Sequence, residues 1–292
     1  MFVSGFTFVR NAIKYDYPIV EAILSILPVC DEVVIAVGKS EDATLALIQG
    51  IASPKIRIIE TIWDDSLREG GRVLADETNK ALAAISPKAD WAFYIQGDEV
   101  FPESDIAAVY NAMQKHAGAQ EVEGLLFKYR HFYGSYDYIG ISRRWYSHEI
   151  RVVRPQKGLS SYRDAQGFRV NGRKLNVIPV NAYIHHYGWV KHPQKQQEKQ
   201  RNFHKMWHDD TWMKEKIPDV DAFDYSQIDI LEKFTGQHPE VMKNRIAAMN
   251  WKFSFDPLSA KWTLKSKLLY RLEKALGIRP FEYRNYVKIQ NK

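Results

Sequence analysis

The sequence predicts an α/β protein, a mostly parallel sheet flanked by helices and followed by a helical C-terminal appendage. Three observations carry that reading. Short apolar runs alternate with helical periodicity through residues 1–130. The middle third holds strand-like runs joined by Gly- and Tyr-rich loops. From Gln194 the pattern turns helical and strongly polar.

Residues 5–9 read as the first strand. Asp16 and Pro18 mark a helix start, with Val20, Ile23, Leu24 and Leu27 as its apolar face and Pro28 closing it. Residues 32–37 (EVVIAV) are a second buried strand. The polar loop Gly38-Lys39-Ser40-Glu41-Asp42 leads into a short helix that ends near Gly50, and Asp42 is placed to cap it. Residues 56–59 make a third strand. Leu74, Thr78, Ala81, Leu82 and Ile85 line one face of the next helix. Residues 91–95 make the fourth strand, and Ile106, Val109, Tyr110 and Met113 mark the helix after it.

Right-handed crossovers place the loops after all four strands on one edge. Asn11, Ser40, Asp64 and Asp98 are therefore expected at one cleft. Further on, residues 122–132, 149–154, 169–177 and 182–187 read as strands. The main domain is expected over 1–193 and a helical extension over 194–292.

Composition narrows the function classes. Forty-one basic and 35 acidic residues leave +6. Such an excess suits phosphorylated ligands, an anionic membrane surface or nucleic acid, and does not choose among them. Cys30 is the sole cysteine, so no disulfide can form within the chain, which fits a reducing compartment. Arg10 and Lys14 interrupt the first apolar residues early, unlike a signal peptide. No run reaches the roughly 20 apolar residues of a membrane span. The expectation is a cytoplasmic protein, soluble or attached peripherally to the inner face of a membrane.

The most informative stretch is Trp91-Ala92-Phe93-Tyr94-Ile95-Gln96-Gly97-Asp98-Glu99. A buried strand ends abruptly in an amide, a glycine and two carboxylates. A carboxylate at the end of a core strand wants a partner. A divalent cation carrying phosphate oxygens is one, since hard cations take oxygen ligands. The structural alternative is that Asp98 or Glu99 caps the next helix, whose start is marked by Pro102 and Glu103.

These residues resemble a known family, the nucleotide-sugar glycosyltransferases of the GT-A (Rossmann-like) fold, family 2-like. Phe8-Val9-Arg10-Asn11, with Ser25 near the end of the following helix, is similar to the family's first strand and helix. Residues 34–44 (VIAVGKSEDAT) resemble its second strand and Asp-Asp-Gly-Ser-x-Asp-x-Thr loop. Residues 71–84, with Asn79, resemble the helix before the metal motif. Gln96-Gly97-Asp98-Glu99 resembles the Asp-x-Asp motif with its trailing acid. The match covers residues 1–130 well and later residues at isolated positions. Two positions depart from it. Val37 and Gly38 stand where the family carries a base-reading Asp, and Gln96 replaces the first Asp of Asp-x-Asp.

The resemblance implies transfer of a sugar from a nucleoside-diphosphate donor to a carbohydrate or lipid-linked acceptor hydroxyl, in cell-surface polysaccharide or glycoconjugate synthesis. It implies Mn²⁺ or Mg²⁺ at Asp98 and His186. In the segment 183–189 (YIHHYGW), strand alternation lets only one of His185 and His186 reach the cleft, and the resemblance favours His186. Nucleotide-sugar contacts are expected from Phe8, Arg10, Asn11, Gly38, Ser40, Arg72, Gln96, Gly97 and Lys191, with Arg68 as a further phosphate candidate. An inverting transfer needs a general base. Asp164, flanked by Arg163 and Arg169, is expected in that role. Glu149 is the alternative, and its place at the start of an apolar strand suggests a structural ion pair.

Residues 194–207 (QKQQEKQRNFHKMW) read as a charged helix. Trp207, His208, Asp209, Asp210 and Trp212 form an aromatic–acidic cluster, expected to pack the appendage onto the main domain. Leu264, Leu268, Leu269, Leu272, Ala275 and Leu276 make an apolar stripe among Lys265, Lys267, Arg271 and Lys274. Such a helix lies on an anionic membrane or docks on its own protein, and docking is the expectation. A nucleotidyltransferase is the alternative enzyme, but its first loop wants glycines that Phe8-Val9-Arg10-Asn11-Ala12 lacks. A basic nucleic-acid-binding protein is the alternative of another class, and no recognised binding motif supports it.

Overall fold

The structure is a computed structural model. It describes residues 1–290 except 68, 208–209, 217–219, 227, 229, 257–259, 261 and 278. The first half runs β1 (Val3–Val9), α1 (Ile19–Ile26), β2 (Glu32–Gly38), α2 (Thr44–Gln49), β3 (Ile56–Thr61), α3 (Arg72–Ala83), β4 (Trp91–Tyr94), β5 (Glu99–Val100) and α4 (Ile106–Lys115). The middle holds β6 (Gly124–Tyr133), β7 (Tyr138–Gly140), β8 (His148–Val153), β9 (Leu159–Tyr162), β10 (Gly167–Val170), β11 (Arg173–Lys174) and β12 (Asn176–Trp189). The last third holds α5 (Pro193–Lys205), α6 (Asp210–Lys216), β13 (Leu231–Lys233), α7 (Lys243–Ala247), α8 (Leu264–Leu276) and β14 (Val287–Lys288).

The expected α/β class is found. The main sheet runs β13-β7-β6-β8-β4-β1-β2-β3, and its β4-β1-β2-β3 half is parallel. Alternate side chains of β2 explain its uninterrupted apolar run. Val33, Ile35 and Val37 enter one core with Ile19, Ala22, Ile23 and Ile26 of α1. Val34 and Ala36 enter the opposite core with Val73, Leu74 and Ala81 of α3. A strand buried on both faces has no polar side to show. β8 then joins antiparallel between β4 and β6, and β12 runs parallel to β6.

β5 does most to place the site. It pairs antiparallel with β12, setting Glu99 opposite His186 and Val100 opposite His185. The Tyr187 N–H also donates to the Asp98 carbonyl at 2.8 Å. Residues distant in sequence thus share one turn.

Several expectations need correction. The buried face of α1 is Ile19, Ala22, Ile23 and Ile26, while Leu24 is exposed. Both candidate stripes are apolar, so periodicity alone did not choose. The single strand expected over 169–177 is split. Asn171 and Gly172 both have positive φ (49° and 79°), and they turn β10 back onto β11 as a tight hairpin. Residues 194–292 are not purely helical, because β13 pairs with β7 and β14 with β12. Four leucines of the α8 stripe, Leu264, Leu268, Leu272 and Leu276, are exposed rather than docked, while Leu269 faces the body, and no residue of that helix is buried. Among the described residues, no helix is long and apolar enough to cross a membrane.

Candidate active site

A cavity of about 580 Å³ opens at the C-terminal ends of β1 and β4. Ligands of open parallel sheets bind at this edge. Its floor is Phe8 and Arg10 at the end of β1, Trp63 after β3, and Gln96-Gly97-Asp98 after β4. Its wall is Asp164 and Gln166 from the turn between β9 and β10, His186 and Trp189 of β12, and Lys199 of α5.

The acidic pair after β4 divides. Glu99 turns inward and is fully buried. Arg151 of β8 grips it through Nε and Nη2 at 2.8 and 2.7 Å, and the Tyr129 hydroxyl donates to it at 2.7 Å. This is a desolvated, bidentate charge pair with further hydrogen bonds, the geometry in which a buried ion pair is tolerated. Asp98 turns into the cavity. Lys199 Nζ donates to its Oδ2 at 3.1 Å and to the Gly188 carbonyl at 3.0 Å. His186 Nε2 stands 3.7 Å from the same oxygen. Burial raises the Asp98 carboxyl, but Lys199 and then His186 outweigh it and hold it well below the ordinary carboxylate range. Gly188 permits this approach, because a Cβ there would lie 2.6 Å from both Asp98 Oδ2 and His186 Nε2.

His186 is itself held from behind. Its Nδ1 lies 3.2 Å from Nδ1 of the fully buried His131, whose Nε2 faces the Tyr146 carbonyl at 2.9 Å. Burial keeps His131 neutral, well below its usual range. His185 is buried on the other face of β12, beside Arg130 and Tyr187.

The floor is aromatic. Trp63 packs against Phe8 with ring centroids 5.7 Å apart, and the Arg10 guanidinium lies 4.5 Å from the Trp63 ring. Arg10 also pairs with Asp65 at 2.8 Å. Gly38 belongs to this arrangement without lining the cavity, since a Cβ there would meet Trp63 Nε1 at 2.3 Å. Gln96 lines the floor, and its Nε2 donates to the Ala165 carbonyl at 3.1 Å.

That bond ties the floor to the turn that carries Asp164. Arg163 and Ala165, on either side of Asp164, both adopt positive φ (55° and 63°). Two such departures flanking one carboxylate cost on the order of 1–3 kcal/mol each and favour a functional reading of the turn. Burial raises the Asp164 carboxyl above its ordinary value. Gly71, with φ 71°, allows the turn to approach, as a Cβ there would lie 3.0 Å from Asp164 Cβ and 2.9 Å from the Trp207 ring.

Other expected residues lie elsewhere. Asn11 is buried with φ 57°. Its side-chain oxygen accepts from the Glu41 N–H and its N–H donates to Ser40 Oγ, so Asn11 and Ser40 clamp two loops together outside the cavity lining. Asp42 accepts from the Thr44 and Lys14 N–H groups beside α2. Lys191 is fully buried. Its Nζ donates to the Asp16 carbonyl and sits 4.7 Å from the Tyr17 ring, and burial lowers its pKa to about 7. Arg72 is exposed at the start of α3 and does not line the cavity. Asp64 is exposed and holds Ser66. Among the described residues Glu149 makes no ion pair, and Arg151 binds Glu99. Burial lifts the Glu149 carboxyl to about 8, and it accepts from Gln166. Arg68, His208 and Asp209 lie outside the described residues.

The protein's side chains alone do not complete the Mn²⁺ or Mg²⁺ site expected from the sequence, although Asp98 and His186 line the cavity together. At a diphosphate such ions take one or two carboxylates, with phosphate and water oxygens completing the shell. Here one carboxylate is engaged by an ammonium, one imidazole stands beside it, the Gln96 amide faces Ala165 and Glu99 faces Arg151. Among the described residues, no three His, Cys, Asp or Glu side chains converge. Sequence reasoning missed Trp63, Tyr17, Trp189 and Lys199. The available signal for Trp63 was its place just beyond a parallel strand.

No family model matches the sequence, and no curated protein matches it. Solved structures resemble it distantly. S. aureus TarS (residues 1–349) is 14% identical over 69% of this chain and 64% of its own, with a TM-score of 0.40. Glucosyl-3-phosphoglycerate synthase from Mycobacterium tuberculosis, in complex with Mn²⁺, UDP and phosphoglyceric acid, is 20% identical over 44% of this chain and 43% of its own, at 0.29. The 4-diphosphocytidyl-2C-methyl-D-erythritol synthase of Anaerococcus prevotii is 12% identical over 52% of this chain and 71% of its own, at 0.33. The chain spans less than two thirds of the TarS structures it resembles. Likenesses this distant carry no statement about chemistry, which rests on the cavity itself.

Proposed function

We propose that the cavity binds a nucleoside-diphosphate sugar and transfers its sugar to an acceptor hydroxyl, with inversion. The observation that carries this reading is the convergence of an aromatic floor, a positioned ammonium and a separate carboxylate in one cavity beyond β1 and β4. Trp63 and Phe8 offer a stacking face for the nucleobase, flanked by Arg10. Lys199 faces the diphosphate. An ammonium has three donors, and the protein uses two, leaving one for a phosphate oxygen. Charge developing on the leaving diphosphate is then met by a fixed cation, the kind of preorganised stabilisation that lowers such barriers. Asp98 and the Gly188 carbonyl position that cation.

Asp164 is the general base. It takes the acceptor proton as the hydroxyl attacks the anomeric carbon and the bond to the diphosphate breaks. Its raised pKa suits a base better than an ordinary carboxylate would. Residues 1–193 supply most of the sheet and of the cavity, and 194–292 add β13, β14 and the wall from α5. The acceptor class, carbohydrate or lipid-linked, follows from the sequence resemblance, as does a place in cell-surface glycoconjugate synthesis.

A thermal-shift panel of UDP-, GDP-, CMP- and dTDP-sugars, in chelator and again with Mn²⁺, tests the reading. A ligand in excess that binds the folded state raises the melting temperature. Stabilisation by one donor in chelator supports it. Stabilisation only with Mn²⁺ removes Lys199 as the cation that meets the diphosphate. No stabilisation by any donor removes the function.

A further inference from the structure

We propose that α8 and the segment after it form a docking surface for an anionic phospholipid membrane. This does not depend on the cavity or on the reaction assigned to it.

The helix is turned opposite to a docked amphipathic helix. Its contacts with the body run through polar and aromatic groups. The Tyr270 hydroxyl reaches Glu232 Oε2 at 3.4 Å, the Tyr270 ring packs on Trp262 at 5.2 Å, and Glu273 binds Arg279 at 2.6 Å. Leu269, Tyr270 and Glu273 face a small cavity shared with Ile141 and Arg143, which marks the body side. On the far side, Leu264, Leu268, Leu272 and Leu276 follow one another every four residues, at 89%, 60%, 38% and 58% exposure. The ends are well made. Thr263 and Ser266 form a capping box, and Gly277 closes the helix at φ 65°. The outward leucines therefore belong to a finished helix.

Exposed apolar rows of this length call for a partner. The border of the row says which. Lys267, Arg271 and Lys274 line one flank and are exposed, while Lys265, also exposed, lines the body-side cavity. Past the cap, Phe281 is 97% exposed, with Tyr283 and Arg284 also exposed. An apolar centre bordered by cations matches a surface that is apolar in depth and anionic at its boundary, which is the layering of an anionic bilayer.

The test is co-sedimentation of the full chain with phosphatidylcholine vesicles and with vesicles that also contain phosphatidylglycerol. Two variants accompany it, Leu268→Ser with Leu272→Ser, and Lys267→Gln with Arg271→Gln and Lys274→Gln. All five positions are exposed, and unchanged thermal melts confirm that the variants fold. The chain is expected to sediment with the anionic vesicles and not with the neutral ones at physiological salt. Loss is expected to be about tenfold or more for the leucine variant, and about fivefold per removed charge for the basic one. Absence of binding to anionic vesicles, or equal binding by the leucine variant, overturns the proposal. So does a dimer in light scattering that the leucine variant abolishes, since a second copy would then own this face.

Discussion

The floor of the cavity and its wall solve different problems with similar residues. Glu99, beneath the floor, is sealed among Arg151, Tyr129 and the Gln96 N–H. Asp98, one residue earlier, faces the wall and meets Lys199 and His186. One carboxylate fixes the turn, and the other is left for a ligand's surroundings. The difference teaches that the acidic motif is half scaffold and half site. It also teaches that the scaffold half is satisfied within the main sheet, whereas the site half waits for a helix from the last third of the chain.

The sharpest way to break this division is on the wall. Asp164→Asn should lower transfer by about 10²–10⁴-fold, the usual worth of a general base, while nucleotide binding and the melting temperature stay put. Turnover assays paired with calorimetry check this, and normal turnover would take Asp164 out of the reaction. On the floor the prediction reverses. Arg151→Met should cost about 3–5 kcal/mol in urea unfolding, because it strands Glu99 as an uncompensated buried charge. An Arg151→Met/Glu99→Gln double variant should recover part of that loss. Lys199→Gln should weaken nucleoside-diphosphate binding by roughly 10–100-fold, the range for one charged hydrogen bond, and should also lower stability, because it removes the cation that holds Asp98 ionised.

The smallest effect concerns Glu149, which lies behind the wall next to Gln166. Its folded-state pKa of about 8 exceeds the ordinary 4.5. The folded protein therefore holds a proton that the unfolded chain releases. This contribution to stability is complete below about pH 4.5 and is lost as pH rises towards 8, with a slope of about 1.4 kcal/mol per pH unit. Glu149→Gln should flatten that part of a stability–pH profile. An unchanged slope would mean that the buried carboxyl is ionised.

Much of the floor was legible in the sequence. β2 and β4 are buried on both faces, so they read as unbroken apolar runs, and the abrupt polar end of β4 marked residues 96–98, which line the cavity. Strand alternation allowed one of the two adjacent histidines at the cavity, and it is His186; Asp164 lies there too. The loop residues were harder. Asn11 and Ser40 are polar and sit beyond parallel strands, which is equally the signature of a loop clamp. Lys191 and Lys199 show the same limit. Both are lysines that follow β12 and lie over the Tyr17 ring, yet one donates into the Asp16 backbone and the other reaches Asp98. In α5 the buried positions are Gln196, Gln197 and Lys199. A helix whose inner face is polar has no apolar period, so the sequence offered no reason to bring it to the site. The Asn171-Gly172 turn, by contrast, carried a recognisable hairpin signal inside the run read as one strand.

The most direct measurement is a calorimetric titration of the intact chain with UDP, GDP, CDP and ADP in chelator, repeated with Lys199→Gln and with added Mn²⁺. The account predicts that one diphosphate binds with one-to-one stoichiometry without added metal, and that the variant binds it at least about tenfold more weakly. Silence towards all four nucleotides, with and without Mn²⁺, would contradict it.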